Sequence, residues 1–246
     1  MVNRKELDNY CKEYLNVDAF KDYCPNGLQI EGAENITNIV SGVSANLALI
    51  ERAIDENADA IFVHHGIFWQ DEDQVIAGAK RRKISLLLSH NINLFGYHLP
   101  LDAHPEVGNN VQLGKLLDIQ NIKPVEDSLL WQGDLNISLS EFATRLEQKL
   151  ERAPQIFGKQ EEKIQRMSWC TGGAQNFINE AIELDVGLYL SGEVSEKIPA
   201  AALENNLTYI AAGHHATERY GIQALCNNLS KTFQLKHQYI EIENSV

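Results

Sequence analysis

The sequence predicts an α/β protein with two lobes, each built on a mostly parallel sheet flanked by helices. Three observations favour this fold class. Short runs rich in Val, Ile and Phe alternate with amphipathic segments of helical period along the 246 residues. Several of those apolar runs end in polar side chains. A stretch with a proline and several turn formers near residues 118–134 interrupts the alternation, which then restarts.

The first lobe begins with a predicted helix over residues 4–15, because Leu7, Cys11 and Leu15 recur at helical spacing. The segments that follow are a strand in ITNIVSGVSA, a helix in NLALIERAIDENA, a strand in DAIFVHHG, a helix in KRRKISLLLSHN, a strand in INLFGYHLPLD and a helix in NNVQLGKLLDI. Strands that alternate with helices in this way predict largely parallel sheets with helices on their faces.

The second lobe begins with a predicted helix over residues 139–150. The segments that follow are a strand in RMSWCTGG, a helix in NFINEAIELD, a strand in VGLYLSGE, a helix over residues 196–205, a strand in LTYIAAGHH, a helix over residues 215–230 and a strand in QLKHQYIEIE. We therefore predict a first lobe over residues 1–125 that is completed by residues 210–246. The second lobe is predicted to cover residues 126–209.

Composition limits the classes of function. A formal net charge of −13 and a pI near 5.0 argue against general nucleic-acid binding, which needs a broad basic footprint. No apolar run approaches the roughly 18 residues of a membrane helix, and MVNRKELDNY at the start has no apolar signal region. We expect a cytoplasmic protein without membrane contact. Its scattered cysteines, Cys11, Cys24, Cys170 and Cys226, are expected to be reduced thiols.

Histidines stand at the ends of three predicted strands. The residues concerned are His64 and His65 in DAIFVHHG, His98 with Asp102 in YHLPLDAH, and His214 with Glu218 in GHHATE. In open parallel α/β sheets, ligands bind beyond the carboxyl ends of the strands. We therefore expect these imidazoles and carboxylates to serve one metal site.

The number of donors predicts two ions. His214 and Glu218 are four residues apart, so both can face the same way across a helical turn. Imidazole and carboxylate ligands suit zinc, iron or manganese. His64, His65 and Asp102 add more donors than one tetrahedral ion needs, and adjacent side chains on a regular strand alternate in direction. The hypothesis is a dinuclear centre with one of the paired histidines serving each ion.

Other polar residues near these ends have two interpretations each. His98 is interpreted either as a metal ligand or as a general acid–base, and we assign it the catalytic role. Glu193 in SGEVSEK either orients a ligand histidine or is stabilised by a helix dipole. His104 and His215 are expected to support the site or to be structural rather than to bind metal.

Two further motifs bear on the substrate. The run KRRK at residues 80–83 is interpreted either as a solvated helix face or as a rim that attracts nucleotide phosphates. WCTGG at residues 169–173 ends a strand with two glycines, which can let backbone N–H groups approach an anion. It lacks the spacing of a P-loop or of a dinucleotide fingerprint.

Taken together, HHGIFW, YHLPLDAHPEVGNN, WCTGG, SGEVSEK and GHHATERYG resemble the NIF-three-like family, most closely its YbgI-type members, called GTP cyclohydrolase 1 type 2 homologs. The resemblance runs from NGLQIEG to GHHATE and so covers nearly the whole chain. It implies a two-lobed α/β protomer, a dinuclear metal site and a ring-shaped hexamer. Carried over by position, the implied metal ligands are His64, His65, Asp102, His214 and Glu218. Many relatives have tyrosine where this chain has His215, and the spacing to Glu218 favours His214 as the ligand.

Two functions of different classes follow. The first is a metal-dependent hydrolase that acts on a nucleotide or related phosphorylated metabolite, because two divalent ions can generate hydroxide at neutral pH and stabilise a displacement. The second is a non-catalytic metal-binding hexamer that serves as a scaffold, a metal store or a metal chaperone.

Overall fold

The computed structural model describes residues 1–159 and 163–246. The chain forms two compact units. The first unit comprises Met1–Gly108 and Gly221–Glu243, and the second comprises Asn109–Tyr220 and Asn244–Val246. None of the helices in the described ranges has both the length and the apolar composition needed to cross a membrane.

The secondary structure of the described residues alternates for most of its length. The strands are β1 (Val2–Asn3), β2 (Gly27–Ile30), β3 (Asn35–Ile36), β4 (Asn38–Ser44), β5 (Ala60–His65), β6 (Asn93–Gly96), β7 (Gln120–Pro124), β8 (Trp131–Ser138), β9 (Gln155–Gly158), β10 (Lys163–Trp169), β11 (Leu188–Ser191), β12 (Thr208–Ala211) and β13 (Lys236–Tyr239). The helices are α1 (Arg4–Tyr14), α2 (Leu47–Asp55), α3 (Gly78–Ser89), α4 (Leu99–Ala103), α5 (Asn109–Leu116), α6 (Leu139–Leu150), α7 (Ile178–Glu183), α8 (Lys197–Glu204), α9 (His214–Thr217) and α10 (Arg219–Phe233).

The main sheet of the first unit has the order β13-β4-β5-β6-β2. β13, β4, β5 and β6 pair in parallel, and β2 runs antiparallel to β6 at the edge. The central strand β5 is apolar and buried along AIFV because both of its faces are covered. Phe62 and Phe95 pack in one core with residues of α1 and α10. Ile61 and Val63 pack in another core with residues of α2 and α3.

Hydrogen bonds at both ends of β6 fix its register against β5. The buried side chain of Asn93 accepts a bond from Gly32 N (2.8 Å) and donates to the carbonyl oxygens of Ala33 (2.8 Å) and Asp59 (3.0 Å). Beyond the other end of β6, Tyr97 N donates to the carbonyl of Val63 (3.0 Å). A strand tied at both ends cannot slip by one residue without breaking these bonds.

The sheet of the second unit has the order β7-β8-β10-β11-β12-β9. Its central strands β10, β11 and β12 pair in parallel, whereas β7–β8, β8–β10 and β12–β9 are antiparallel. One core joins Trp169 of β10 to Leu146 of α6. The other joins Tyr189 of β11 to Ile198 of α8. Helix α6 begins with a capping box of Ser138 and Glu141, which satisfies backbone donors at its first turn.

The predicted fold class is confirmed, because each unit combines a sheet with flanking helices. Parallel pairing dominates in the first unit, but the second sheet is mixed. Part of the difference comes from β9, which runs antiparallel to β12. The rest comes from residues 118–134, interpreted above as an interruption. They contain β7 and the start of β8, which form an antiparallel hairpin in which Trp131, Gly133 and Leu135 alternate inward.

The unit boundaries follow residues 108 and 220, whereas the sequence placed the lobe boundaries after residues 125 and 209. Helix α5 belongs to the second unit because Val111 and Leu113 pack in the same core as Trp169. The helix expected over residues 215–230 is two helices, α9 and α10, and Glu218 lies at the break between them. The helix predicted over residues 139–150 has those bounds in the structure.

Candidate metal centre

His64 is held in one orientation at the carboxyl end of β5. Its Nδ1 lies 2.9 Å from the carbonyl oxygen of Tyr97, and the side chain is buried. Because a carbonyl only accepts, Nδ1 carries a proton, and Nε2 is the ring nitrogen left to face a metal ion. Nε2 lies 3.5 Å from Oδ1 of Asp102, a buried residue of α4. A cation between this nitrogen and the carboxylate would offset the cost of burying the negative charge.

His65 is held through the same ring nitrogen. Its Nδ1 lies 3.1 Å from Oγ of Ser44, the residue that pairs with His65 across the β4–β5 ladder. The rings of His64 and His65 have centroids 4.5 Å apart, although the two residues are adjacent on a strand. Ligand nitrogens of His64, His65 and His98 all lie within 4.8 Å of one another. The end of β5 therefore allows neighbouring imidazoles to converge.

His98 follows β6 and is held by Asp22, a residue that the sequence interpretation missed. Nδ1 of His98 lies 3.0 Å from Oδ1 of Asp22, and His98 N donates to Oδ1 of Asn26 (2.7 Å). The other oxygen of Asp22 accepts bonds from Leu99 N (3.0 Å) and Asn26 Nδ2 (2.9 Å). Burial by itself raises the pKa of Asp22, but these hydrogen bonds and the charge of His98 bring that pKa well below its ordinary value. Asp22 is therefore an ionised acceptor that holds the His98 ring.

Cys24 lies beside the same carboxylate. Its Sγ is 3.7 Å from Oδ1 of Asp22, and ligand atoms of Asp22, Cys24 and His98 lie within 4.8 Å of one another. Burial and the negative charge of Asp22 raise the pKa of the Cys24 thiol to about 12. The thiol is therefore protonated in the metal-free protein. We define the first ligand set as His64, His65, His98 and Asp102.

His214 and Glu218 form the second ligand set, in the second unit. Nε2 of His214 lies 3.1 Å from Oε2 of Glu218, which is 3% exposed. Nδ1 of His214 lies 2.7 Å from Oε1 of Glu193, which follows β11. Glu193 thus takes the position of a residue that orients a ligand histidine. His215 is buried, and its backbone N–H donates to the carbonyl of Val246 (3.0 Å).

The glycines of WCTGG make room for the second ligand set. A Cβ on Gly172 would collide with Oε1 of Glu218 and lie 3.2 Å from Nε2 of His214, and its φ of +68° favours glycine. A Cβ on Gly192 would meet Cα of His214 at 2.7 Å. Gly172 N donates to Oγ1 of Thr217 (3.0 Å), so this N–H is used within the protein. The motif, interpreted from sequence as an approach for an anion, gives the carboxylate of Glu218 its space.

Hydrogen bonding distinguishes the histidines of the two ligand sets from His104 and His237. Four of them use Nδ1 toward a carbonyl, a hydroxyl or a carboxylate, and these are His64, His65, His98 and His214. His104 instead uses both nitrogens: Nε2 meets the carbonyl of Tyr14 (2.9 Å), and Nδ1 accepts from Glu106 N and Val107 N (both 3.2 Å). His104 is therefore structural, one of the two roles expected for it. His237 likewise contacts Ser41 and Asn227.

The basic run on α3 is partly engaged with its surroundings. Nζ of Lys80 donates to the carbonyl of Asp73 (2.9 Å), lies 4.0 Å from Oε2 of Glu72 and sits 5.4 Å from the ring centre of Phe68. Arg81 and Arg82 are exposed. Lys80 thus has a structural role, and the two arginines have the solvated position that one interpretation of the run expects.

Comparison with known proteins places the chain in a family. Residues 2–245 match the family model described as Duf34/NIF3 (NGG1p interacting factor 3). The chain belongs to the Duf34/NIF3 family. This confirms the resemblance drawn from HHGIFW, YHLPLDAHPEVGNN and GHHATERYG.

Relatives match over nearly their full length. A Yersinia pestis protein named GTP cyclohydrolase 1 type 2 homolog is 48% identical over 242 residues, which are 97% of this chain and 98% of the relative. A protein of the same name from Escherichia coli K12 is 46% identical and covers 99% of both chains. A solved structure described as protein ybgI, of unknown function, has a TM-score of 0.96 at 44% identity and covers 100% of both chains.

The first prediction concerns Gly172. We expect Gly172→Ala to move Glu218 away from His214 and to destabilise the second unit by roughly 2–3 kcal/mol, through backbone strain and overpacking. Gly173→Ala is the matched control, because its Cβ would lie 3.6 Å from Cε1 of His214, an ordinary contact distance. Urea unfolding of both variants is the measurement. Equal midpoints for the two variants would contradict this account of the motif.

The second prediction concerns the pH dependence of the metal-free protein. Burial by itself lowers the pKa of His214, but the hydrogen bonds and charges of Glu218 and Glu193 outweigh burial and raise that pKa to about 9. Because the folded pKa exceeds the unfolded value of about 6.5, the stabilisation is fully present below about pH 6.5. It is lost as pH rises through about 9.

The measurement is a histidine NMR titration of the metal-free protein. Glu218→Gln should lower the midpoint of His214 because it removes the carboxylate that contributes most to raising this pKa. His237 of the first unit, whose pKa is lowered by burial, is the internal control and should keep its midpoint in that variant. A His214 midpoint that Glu218→Gln leaves in place would show that Glu218 does not hold the proton.

Proposed function

We propose that this protein binds two divalent metal ions and is a metal-dependent hydrolase that acts on a nucleotide or a related phosphorylated metabolite. One observation carries the proposal. All four imidazoles of the two ligand sets are held through Nδ1, by Tyr97, Ser44, Asp22 and Glu193. For His64, His65 and His214 this is the usual arrangement of metal-binding histidines, in which one nitrogen is oriented by a hydrogen bond and the other faces the ion.

The donors fit a divalent ion of the zinc, iron or manganese type. Imidazole nitrogens and carboxylate oxygens are the ligands that these ions take. Asp102 and Glu218 are 6% and 3% exposed, and a buried carboxylate is costly unless a cation or hydrogen-bond donors compensate it. A dication at each set would supply that compensation.

The number of ligands supports two ions per chain. We assign His64, His65 and Asp102 from the first unit and His214 and Glu218 from the second. The first unit offers three ligands to an ion and the second offers two, and a catalytic ion keeps a position open for water or substrate. Two such ions supply Lewis acidity and a water acidic enough to react near neutral pH.

His98 is assigned the proton transfer. Asp22 holds the proton of His98 on Nδ1, so Nε2 is the atom that accepts a proton from the attacking water and returns it to the leaving group. Its ligand nitrogen lies within 4.8 Å of those of His64 and His65, which is close enough for it to act on a group bound there. The same distance also fits His98 as a metal ligand, and the metal content of the His98→Ala variant decides between the two roles.

The third prediction tests metal binding and activity together. We expect two ions per chain in the wild type after reconstitution and dialysis against a mild chelator. Asp102→Ala should lose at least one ion, because it removes the carboxylate that faces His64. His98→Ala should keep both ions while hydrolysis of nucleotides or phosphoesters falls by at least about a hundredfold, the contribution of a general acid–base. Elemental analysis and a panel of such substrates are the measurements.

His90→Ala is the matched control, since His90 is exposed and bonds only within the end of α3 in the contacts described. Loss of an ion in His98→Ala would make His98 a ligand. Unchanged metal content in Asp102→Ala would contradict the proposed centre. If the protein holds two ions tightly and hydrolyses none of the substrates, the result would instead favour a metal store, a metal chaperone or a scaffold.

The fourth prediction concerns assembly. We propose a ring-shaped hexamer, as the family resemblance implies. Light scattering at micromolar concentration should give a mass near six times the 27.6 kDa of the chain. A monomer mass at that concentration would contradict the proposed ring.

A further inference from the structure

Two aromatic rings stand beside the first ligand set and have no role in binding metal. Tyr23 precedes β2, and Trp69 lies four residues beyond His65. The ring centres of Tyr23 and Trp69 are each 5.2 Å from that of His98, and Trp69 is 5.9 Å from His65. The two rings therefore adjoin the imidazoles of the proposed reaction site.

The two rings are held together as one surface. Their centroids are 6.3 Å apart with an interplanar angle of 31°, and Gln70 N donates to the carbonyl of Tyr23 (2.8 Å). Tyr23 N donates in turn to Oδ1 of Asp22 (2.7 Å), the carboxylate that holds His98. The aromatic wall, defined as Tyr23 and Trp69, is thus fixed by the same contacts that position His98.

The exposure of the wall is unusual in this molecule. Tyr23 is 52% exposed, and among the described residues it is the one aromatic side chain in the exposed class. Trp69 is half-buried, whereas Trp131 and Trp169 are buried in the second unit. Exposed apolar surface beside convergent polar groups is characteristic of a ligand site.

We propose that the aromatic wall binds the planar heterocyclic ring of the substrate by stacking. Because the two rings already contact each other, the heterocycle packs on their exposed side rather than between them. Aromatic side chains bind nucleobases through their π-faces, largely without regard to which base is present. The wall thereby selects substrates that carry a flat ring and places that ring beside His98 and His65.

This inference rests on the proposed function and names the part of the substrate that the chain recognises. A substrate with only a sugar phosphate lacks the surface that the wall would contact. The fold of the first unit gives a direct signal for a test, since Trp69 is the more exposed of the three tryptophans and dominates any change that a ligand causes in the emission.

The fifth prediction uses guanosine as the probe and ribose 5-phosphate as the probe without a base. We expect guanosine to change the emission of the metal-loaded protein and ribose 5-phosphate to leave it unchanged. Tyr23→Leu should weaken guanosine binding roughly tenfold, while Tyr23→Phe, the matched control, keeps the ring and stays within about twofold of the wild type. Equilibrium dialysis of Trp69→Leu against Trp69→Phe repeats the comparison without the fluorescent reporter.

Guanosine binding that Tyr23→Leu and Trp69→Leu both leave intact would overturn the inference, and so would equal binding of the two probes. The result is separable from the proposed function, because binding is measured without turnover. If guanosine binds but none of the substrates is hydrolysed, the aromatic wall is supported and the hydrolase is contradicted. If the rate of hydrolysis depends neither on the base nor on the two Leu substitutions, the hydrolase is supported and the aromatic wall is contradicted.

Discussion

The parallel register of β5 and β6 is the constraint on which the first ligand set depends. Tyr97 N donates to the carbonyl of Val63, and the carbonyl of Tyr97 accepts from Nδ1 of His64. Tyr97 thus makes the last backbone hydrogen bond between the two strands and also fixes the ring of His64. Because side chains alternate along a strand, a shift of one residue would turn His64 to the opposite face. The hydrogen bonds of Asn93 at the start of β6 therefore help to keep Tyr97, beyond the other end of that strand, in position against His64.

The second unit reaches a similar result with glycine. Beyond the carboxyl ends of β10, β11 and β12, Gly192 N donates to the carbonyl of Gly172 (2.9 Å), and Gly213 N donates to that of Gly192 (2.9 Å). The three loops are drawn close together, and glycine alone leaves space among them for the side chains of His214 and Glu218. The close approach of these three loops, rather than a long series of strand hydrogen bonds, holds His214 and Glu218 in position.

Much of the site could be predicted because its residues follow strands. His64, His65, His98 and His214 end apolar runs, so their common location at sheet edges follows from the pattern alone. Asp22 and Tyr23 could not be found in this way, since DYCPNG precedes a short edge strand and reaches His98 only through the folded loop. The NG that follows them marks a turn, and a turn does not say what its side chains contact.

The fold was predictable to a similar degree. The helix over residues 139–150 carries both a strong apolar stripe and a capping box, so its bounds follow from local chemistry. β7 and β8 were missed because proline and glycine in that stretch suggest an interruption, while the inward alternation of Trp131 and Leu135 is short. Pairing direction depends on partners distant in sequence, and no local pattern reports it.

The discontinuity of the first unit affects how the chain folds as it is made. Helix α10 supplies Ile222, Leu225 and Leu229 to the core around Phe62, and β13 pairs with β4. A nascent chain has made His64 and Asp102 long before these elements leave the ribosome. The inserted unit is complete, apart from its last three residues, while the host unit still lacks one covering helix and one strand. The sheet that carries the histidines made first is therefore completed last, and until then the apolar face around Phe62 lacks the cover of α10 and is prone to aggregation.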